Sequence, residues 1–169
     1  MFGFFTQAPT PRRLILAFAL YAAALLATAL VGQYGFDLHP CHLCLWQRAP
    51  YGAIVAIGLV VALLPRHTGL LNSAAWLCVA LFAADAGIAF YHTGVELGWI
   101  PGPSGCSTPQ TGDLTLEEMR AQIMNAPLVS CDQAMIHIFG LSMAAWNALA
   151  AMAGFIGGAV LLWMRRASA

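Results

Sequence analysis

Four of the five cysteines fall into two pairs, and they have the clearest potential for chemistry in this chain. Cys41 and Cys44 form a C-x-x-C motif, and Cys106 and Cys131 lie in a later polar segment. A C-x-x-C motif can be half of a zinc site, a structural staple or a redox pair, and Leu45 excludes a c-type haem site, which needs histidine there. The motif enters an apolar run, so Cys44 is expected at or near a helix N-terminus, where a thiolate is stabilised. This context favours the redox pair.

Arg48 is the basic residue closest to the motif. It follows Cys44 by one helical turn and is expected on the same helix face, where its charge stabilises a Cys44 thiolate. An ionisable residue at the edge of a membrane span is a functional candidate by default. A guanidinium there can donate to a quinone carbonyl or its reduced oxygen. The alternative is an arginine that merely snorkels to the membrane interface.

The composition indicates a membrane protein. Of 169 residues, 60% are hydrophobic and 8% are charged, whereas soluble domains carry about 25% charged residues. Four apolar stretches approach or exceed the ~20 residues that cross a bilayer as a helix, and helices satisfy their own backbone hydrogen bonds in lipid. A cleaved signal peptide is a weaker alternative for the first stretch. We predict an all-α fold, a four-transmembrane-helix bundle forming a single domain over 1–169, with spans at 14–32, 45–64, 70–92 and 140–164.

The arginines predict the orientation of the bundle. All seven basic residues are arginine, and five flank one side of the predicted spans: Arg12, Arg13, Arg66, Arg165 and Arg166. Six of the seven acidic residues fall on the other side: Asp37, Glu96, Asp113, Glu117, Glu118 and Asp132. By the positive-inside rule both termini are cytoplasmic, and loops 33–44 and 93–139 lie outside. The asymmetry indicates orientation and no nucleic-acid partner. Outside a bacterial inner membrane, disulfides are expected.

The second outside loop contains a helix signal. Thr115-Leu116-Glu117-Glu118 is a capping-box pattern, and apolar residues then recur at helical spacing: Leu116, Met119, Ile123 and Met124. Pro127 ends the run. We predict a short amphipathic helix that lies on the membrane surface or packs on top of the bundle.

Three further polar or reactive residues fall within the third span. His92 ends that span level with the C-x-x-C motif, where it either lines a quinone pocket or caps the helix at the interface. Asp85 is expected to make interhelical hydrogen bonds rather than a proton path. Cys78 is expected to be a small buried apolar residue.

The motifs together resemble the DsbB family, disulfide bond formation protein B. They are Cys41-x-Leu43-Cys44-x-x-Gln47-Arg48, Tyr91-His92-x-Gly94-x-Glu96, Cys106 with Cys131, and Gly140-Leu141-Ser142-Met143-x-x-Trp146-Asn147. The resemblance covers nearly the whole chain. It implies a four-helix membrane bundle with a quinone-proximal cysteine pair and a separate loop pair.

The resemblance also implies a role for each cysteine. A reduced DsbA-like protein, a periplasmic thiol oxidase of thioredoxin fold, would attack the Cys106–Cys131 disulfide at Cys106. The Cys41–Cys44 disulfide would reoxidise that loop pair. Cys44 would then deliver two electrons to ubiquinone or menaquinone, which Arg48 would help to bind. The four cysteines are thus the expected catalytic residues, and no metal is expected.

Two rival functions use the same side chains. The outside cysteines and several histidines could form a zinc or copper site: His39, His42, His92 and His137. The histidines could alternatively hold a b-haem in a membrane electron carrier. Within the redox class, vitamin K epoxide reductase has analogous chemistry, but this chain resembles it less.

Overall fold

Four long helices form the bundle. The computed structural model describes residues 10–63, 68–103, 106, 115–117, 120, 124 and 129–167. The helices are α1 (Pro11–Gly35), α2 (His42–Leu63), α3 (Thr68–Glu96) and α4 (Met143–Ala167). All four are long and apolar enough to cross a membrane. This confirms the predicted all-α, four-helix membrane fold, and the protein is a multi-pass membrane protein.

Polar residues extend the helices beyond the apolar stretches that predicted them. α1 begins at Pro11, and the Thr10 side chain caps it by accepting the Arg13 backbone N–H at 3.4 Å. Proline suits the first helical position because its missing N–H would have no partner there. α3 continues to Glu96, past the predicted end at His92. Hydropathy alone misses such ends because their residues are too polar to count as part of an apolar stretch.

The fourth helix begins later than predicted, at Met143 rather than at 140. Residues His137–Ile138 and Leu141–Ser142 instead form a short antiparallel hairpin. Phe139 and Gly140 at its turn both have positive φ, 51° and 80°, as a two-residue turn of type I′ requires. Ser142 then caps α4, since its Oγ accepts the Ala145 N–H at 3.1 Å.

The bundle core lies where α1, α2 and α3 meet. α3 packs most extensively on α4, and α1 on α2. Phe82 is fully buried and contacts Phe18 edge-on, with ring centroids 5.9 Å apart. Gly58 lies so close to α1 that a Cβ added there would be 2.2 Å from Ala19 Cβ, which is the small-residue contact typical of membrane helices. Cys78 is buried in this core, as expected.

A second cluster of buried residues lies at the end of the bundle where α2 begins and α3 ends. Its members are Cys41, Leu43, Val95, Cys106 and Cys131. The cluster therefore brings the loop cysteines against the start of α2 and the end of α3. Both cysteine pairs lie at the same end of the molecule.

The predicted amphipathic helix falls mostly outside the described residues. Leu116, Glu117, Arg120 and Met124 are helical, while Met119 and Ile123, on which the prediction also rested, lie outside that part of the chain. Leu116 and Met124 are exposed. Arg120 pairs with Glu117, 3.8 Å away. The placement of this helix on a membrane surface stays a prediction.

Candidate active site

The C-x-x-C motif caps α2. Cys41 directly precedes the helix, and its Sγ accepts the backbone N–H of Cys44 at 3.2 Å. The Cys41 carbonyl accepts the Leu45 N–H at 3.1 Å, which begins the helical hydrogen-bond pattern. The Sγ atoms of Cys41 and Cys44 lie 2.7 Å apart. A small movement therefore suffices to join the two sulfurs in a disulfide, whose S–S bond is about 2.05 Å long.

The surroundings of the motif stabilise a thiolate at Cys41. Hydrogen bonding from the Cys44 thiol, followed by the hydrogen bond and charge of His92, holds the Cys41 pKa well below its ordinary value of 9.0, although burial opposes the shift. From the sequence, the stabilised thiolate is expected at Cys44. The Cys44 thiol and His92 hydrogen-bond the Cys41 sulfur instead, and its N-cap position adds the Cys44 backbone N–H.

His92 lies against the motif from α3. Its Nε2 is 3.5 Å from Cys41 Sγ, and its Nδ1 is 2.8 Å from Gln47 Nε2. Nε2 is also 3.7 Å from Glu96 Oε1. The imidazole is buried, and no hydrogen-bond partner for Glu96 Oε2 occurs in the described part of the chain. The structure thus brings together His92 and the C-x-x-C motif, as the sequence suggested.

A chain of polar side chains continues from Gln47 into the middle of the bundle. Asn147 Nδ2 donates to Gln47 Oε1 at 2.8 Å and to Asp85 Oδ2 at 3.1 Å. Tyr51 donates its hydroxyl to Asn147 Oδ1 at 2.8 Å. Asp85 therefore makes the interhelical hydrogen bond that the sequence analysis expected. The sequence does not indicate which of these residues meet, although a polar residue inside a span is itself a signal.

Arg48 forms a hydrogen bond with Gln33, a residue that the sequence did not single out. Its Nη1 donates to Gln33 Oε1 at 2.6 Å. Both side chains are half-buried and line the same cavity as Cys44. Gln33 lies just beyond the first apolar stretch, where nothing in the sequence separates a binding residue from an interface residue.

The cavity beside the motif has the size of a small-molecule site. Its volume is about 340 Å³, and ligand sites run from about 300 to 1,000 Å³. Its polar wall includes Cys41, Cys44, Arg48, His92 and Glu96. Much of the remaining wall is apolar, including Leu25, Leu26, Ala29, Leu38, Met143, Ala144 and Ala150. The wall includes residues of all four helices, and most of these apolar residues lie on α1 and α4, two helices that contact each other little.

The loop cysteines are joined to each other. Cys106 and Cys131 form a disulfide, the pairing that the resemblance implied. Both are buried. Ser130 donates its hydroxyl to the Cys106 carbonyl at 3.2 Å. The disulfide belongs to the same buried cluster as Cys41, so the two cysteine pairs lie close enough to share one apolar environment.

Cys41, Cys44 and His92 also have the spacing of a possible metal site. Their donor atoms all lie within 4.8 Å of one another. Two sulfurs and an imidazole are suitable ligands for zinc. The arrangement is thus compatible with both thiol chemistry and metal binding, and the two uses require different experiments.

These features define a multi-pass membrane protein that carries two cysteine pairs, one beside an apolar cavity, at one end of a four-helix bundle. The family profile described as "Disulfide bond formation protein DsbB" matches residues 11–163. The chain belongs to the DsbB family, and it is a disulfide-forming oxidoreductase of the membrane.

Curated relatives match over most of their length. "Disulfide bond formation protein B" of Actinobacillus pleuropneumoniae is 30% identical over 157 residues, which are 89% of this chain and 84% of the relative. The protein of that name from Haemophilus influenzae is 32% identical over 137 residues, 78% of this chain and 73% of the relative. An uncharacterized protein of Rickettsia prowazekii is 31% identical over 129 residues, which are 73% of this chain and 72% of the relative. No solved structure matches this chain significantly.

Proposed function

We propose that this protein is an inner-membrane thiol:quinone oxidoreductase. It reoxidises a DsbA-like periplasmic dithiol protein and passes two electrons to ubiquinone or menaquinone. One observation carries the proposal: the C-x-x-C sulfurs lie between an apolar cavity with Arg48 on its wall and the cluster that holds the loop disulfide.

The relay consists of two thiol–disulfide exchanges. The two thiols of the partner reduce the Cys106–Cys131 disulfide through a mixed disulfide at Cys106, and the partner leaves with a disulfide. The two loop thiols then reduce a Cys41–Cys44 disulfide and become a disulfide again. Each exchange moves two electrons and two protons and breaks one S–S bond as it forms another. The lowered pKa of Cys41 makes it a good leaving thiolate in the second exchange.

The cavity suits a quinone. A bound quinone would supply an acceptor for two electrons and two protons. Arg48 offers several N–H donors in a planar fork, of which Nη1 holds Gln33, and a guanidinium is suited to a carbonyl oxygen. His92 and Cys44 are on the same wall. The apolar wall on α1 and α4 suits the hydrocarbon tail of a lipid-soluble acceptor.

The proposed orientation places both termini in the cytoplasm. Arg12 donates to the Ala62 carbonyl at 2.9 Å, where α2 ends. Arg165 donates to Asn72 at 3.4 Å, and Arg166 stacks on Trp76, 5.1 Å from the ring centroid. These arginines gather at the bundle end opposite the cysteine pairs. The positive-inside rule makes the arginine end cytoplasmic and the cysteine end periplasmic.

The test is turnover of purified protein with a reduced DsbA-like protein and a soluble quinone analogue, followed by quinone absorbance. Cys106→Ser and Cys131→Ser should each abolish turnover and leave the Cys41–Cys44 disulfide able to form. Cys78→Ala is the matched control, because this buried cysteine is remote from both pairs, and it should retain turnover. Failure of folded wild-type protein to reduce the quinone would overturn the proposal. Wild-type rates in Cys106→Ser would overturn the relay order.

Metal binding is the second candidate function, and the close spacing of Cys41, Cys44 and His92 favours it. Elemental analysis of purified protein beside a count of reactive thiols separates the two. Stoichiometric zinc or copper with protected thiols would support a metal site. A Soret band in the absorbance spectrum would instead indicate the b-haem alternative.

A further inference from the structure

A second cavity lies between α3 and α4, at the end of the bundle opposite the cysteine pairs. Its volume is about 130 Å³, and its wall consists of Asn72, Trp76, Leu162, Arg165 and Arg166. Asn72 and Trp76 are one turn apart on α3, and the two arginines follow Leu162 by one turn on α4. The cavity is smaller than the usual small-molecule site of about 300–1,000 Å³. This size favours one compact chemical group over a whole metabolite.

Arg166 is held in an orientation that suits an anion. Its guanidinium lies over the Trp76 ring, 5.1 Å from the ring centroid. A guanidinium that stacks on a ring uses its face for that contact, whereas its N–H groups lie in its plane and point outward from its edge. The stacked side chain can therefore donate two parallel hydrogen bonds to the oxygens of an anion. Trp76 also orders the arginine beforehand, which reduces the entropy that binding would cost.

Arg165 and Asn72 add further donors to the same wall. Arg165 Nη1 donates to Asn72 Oδ1 at 3.4 Å, which is long for a hydrogen bond. A guanidinium has several other N–H donors, and an asparagine whose oxygen accepts can still donate from its NH₂ group. Arg165 is half-buried in this contact. The described residues of the wall thus offer two guanidinium groups and an amide to one ligand, and none of them is acidic.

The helices carry positive charge at this end of the bundle without acidic side chains to balance it. None of the seven acidic residues falls on α1, α2 or α4, and the first on α3 is Asp85. Asp85 follows Trp76 by nine residues, which is roughly 13 Å along a helix. The ligand that matches such a wall is a compact anion whose charge lies on oxygen, such as a phosphate group.

The position of the cavity in the bundle identifies the source of the phosphate. The apolar run of α4 ends at Met164, and the arginines follow it directly. Arginine and tryptophan at the end of a membrane span are expected among the lipid headgroups. Beside the cavity, Leu77 and Trp163 are exposed on apolar spans, so lipid acyl chains can lie along them. Basic pockets between transmembrane helices are typical binding sites for anionic lipid headgroups.

We propose that this cavity binds the phosphate of an anionic membrane phospholipid. Arg165 and Arg166 are the charged donors, and Trp76 is the platform that orients Arg166. The bound lipid would join the ends of α3 and α4, the two helices that pack most extensively on each other. The site is independent of the thiol chemistry, because no cysteine and no electron acceptor takes part in it.

The test uses the whole protein, purified in detergent and titrated with phosphatidylglycerol, phosphatidylcholine or inorganic phosphate. Native mass spectrometry counts the lipids that each protein retains. The thermal unfolding midpoint reports the apparent affinity, because a ligand that binds only the folded state stabilises it. Wild-type protein should retain one phosphatidylglycerol more than Arg166→Gln does. Its midpoint should rise with the anionic lipid and stay unchanged with the other two additives.

Four variants separate a built site from general attraction to positive charge. Arg165→Gln and Arg166→Gln should each weaken phosphatidylglycerol binding roughly tenfold or more, the scale of a lost hydrogen bond from a charged donor. Arg166→Lys retains the charge but loses the planar fork, so it should also weaken binding. Arg13→Gln is the matched control, because Arg13 is exposed near the start of α1 and does not line the cavity. It should bind the lipid as wild type does.

Equal weakening in Arg13→Gln and Arg166→Gln would overturn the proposal, because the lipid would then be attracted by the overall charge of this end. Wild-type affinity in folded Arg166→Lys would also overturn it, as would equal stabilisation by phosphatidylcholine. Stabilisation by inorganic phosphate at the concentrations that suffice for phosphatidylglycerol would overturn the lipid as the source of the phosphate. If Arg166→Gln does not fold, Arg165→Gln and Arg166→Lys decide the matter.

Discussion

Replacing Arg48 tests whether the cavity beside the C-x-x-C motif binds the electron acceptor. Arg48 is half-buried and donates to Gln33 Oε1 at 2.6 Å across the cavity wall. Arg48→Gln removes the charge and the planar fork of donors. Arg48→Lys retains the charge but loses the fork. Gln33→Leu leaves the guanidinium in place and removes only the group that holds it.

The expected size of the effect follows from the bond that is lost. A hydrogen bond from a charged donor contributes about 1.5–3 kcal/mol, and each 1.4 kcal/mol is about tenfold in binding. The KM for quinone should therefore rise roughly tenfold to a hundredfold in Arg48→Gln. The rise should be smaller in Arg48→Lys. In Gln33→Leu a neutral partner is lost, and the rise should not exceed about tenfold.

The assay is the initial rate of quinone reduction across quinone concentrations, with reduced partner protein held fixed and variants matched for folded yield. A raised KM at unchanged kcat would indicate a lost binding contact. If Arg48 only snorkels, Arg48→Lys should be nearly neutral, and Arg48→Gln should reduce insertion or thermal stability. An unchanged quinone KM in folded Arg48→Gln would refute the binding role and leave the cysteine relay standing.

Three other predictions concern the thiol pair, the packing and the topology. Because hydrogen bonds from Cys44 and His92 lower the Cys41 pKa, Cys41 of reduced protein should alkylate with a midpoint below pH 9.0. The contribution of that thiolate to the free energy of unfolding should be complete above the ordinary cysteine pKa of 9.0 and lost as the pH falls through the lowered pKa. An alkylation profile with the midpoint of an ordinary thiol would contradict this. Gly58→Ala places a Cβ 2.2 Å from Ala19 Cβ and should destabilise the fold by about 1–3 kcal/mol, which lowers the thermal unfolding midpoint in detergent. Gly52→Ala is the control, because a Cβ added there has no atom within 4 Å. Equal midpoints for the two variants would refute the close contact. A C-terminal alkaline phosphatase fusion should be inactive, and an active fusion would place that terminus in the periplasm.

Local properties of the sequence determined the class of fold and the location of the two cysteine pairs along the chain. A membrane helix depends on the hydropathy of its own residues, so the four spans were predictable, with errors only where polar caps or a hairpin set the helix ends. The approach of Cys41 and Cys44 was likewise predictable, because two residues at this spacing meet at the start of any helix. The family resemblance rested on such local motifs, and the family profile confirmed it.

Tertiary structure decided which side chains meet across the bundle. Gln47 and Asn147 are 100 residues apart in sequence, and His92 and Cys41 are 51 apart. Helical periodicity gives the face of a helix that a residue occupies, but not the rotation or depth at which that face meets another helix. Those are set by packing, such as the contact of Gly58 with Ala19. For the same reason the sequence placed the favoured thiolate at Cys44, while hydrogen bonds from the Cys44 thiol and from His92 on another helix favour it at Cys41.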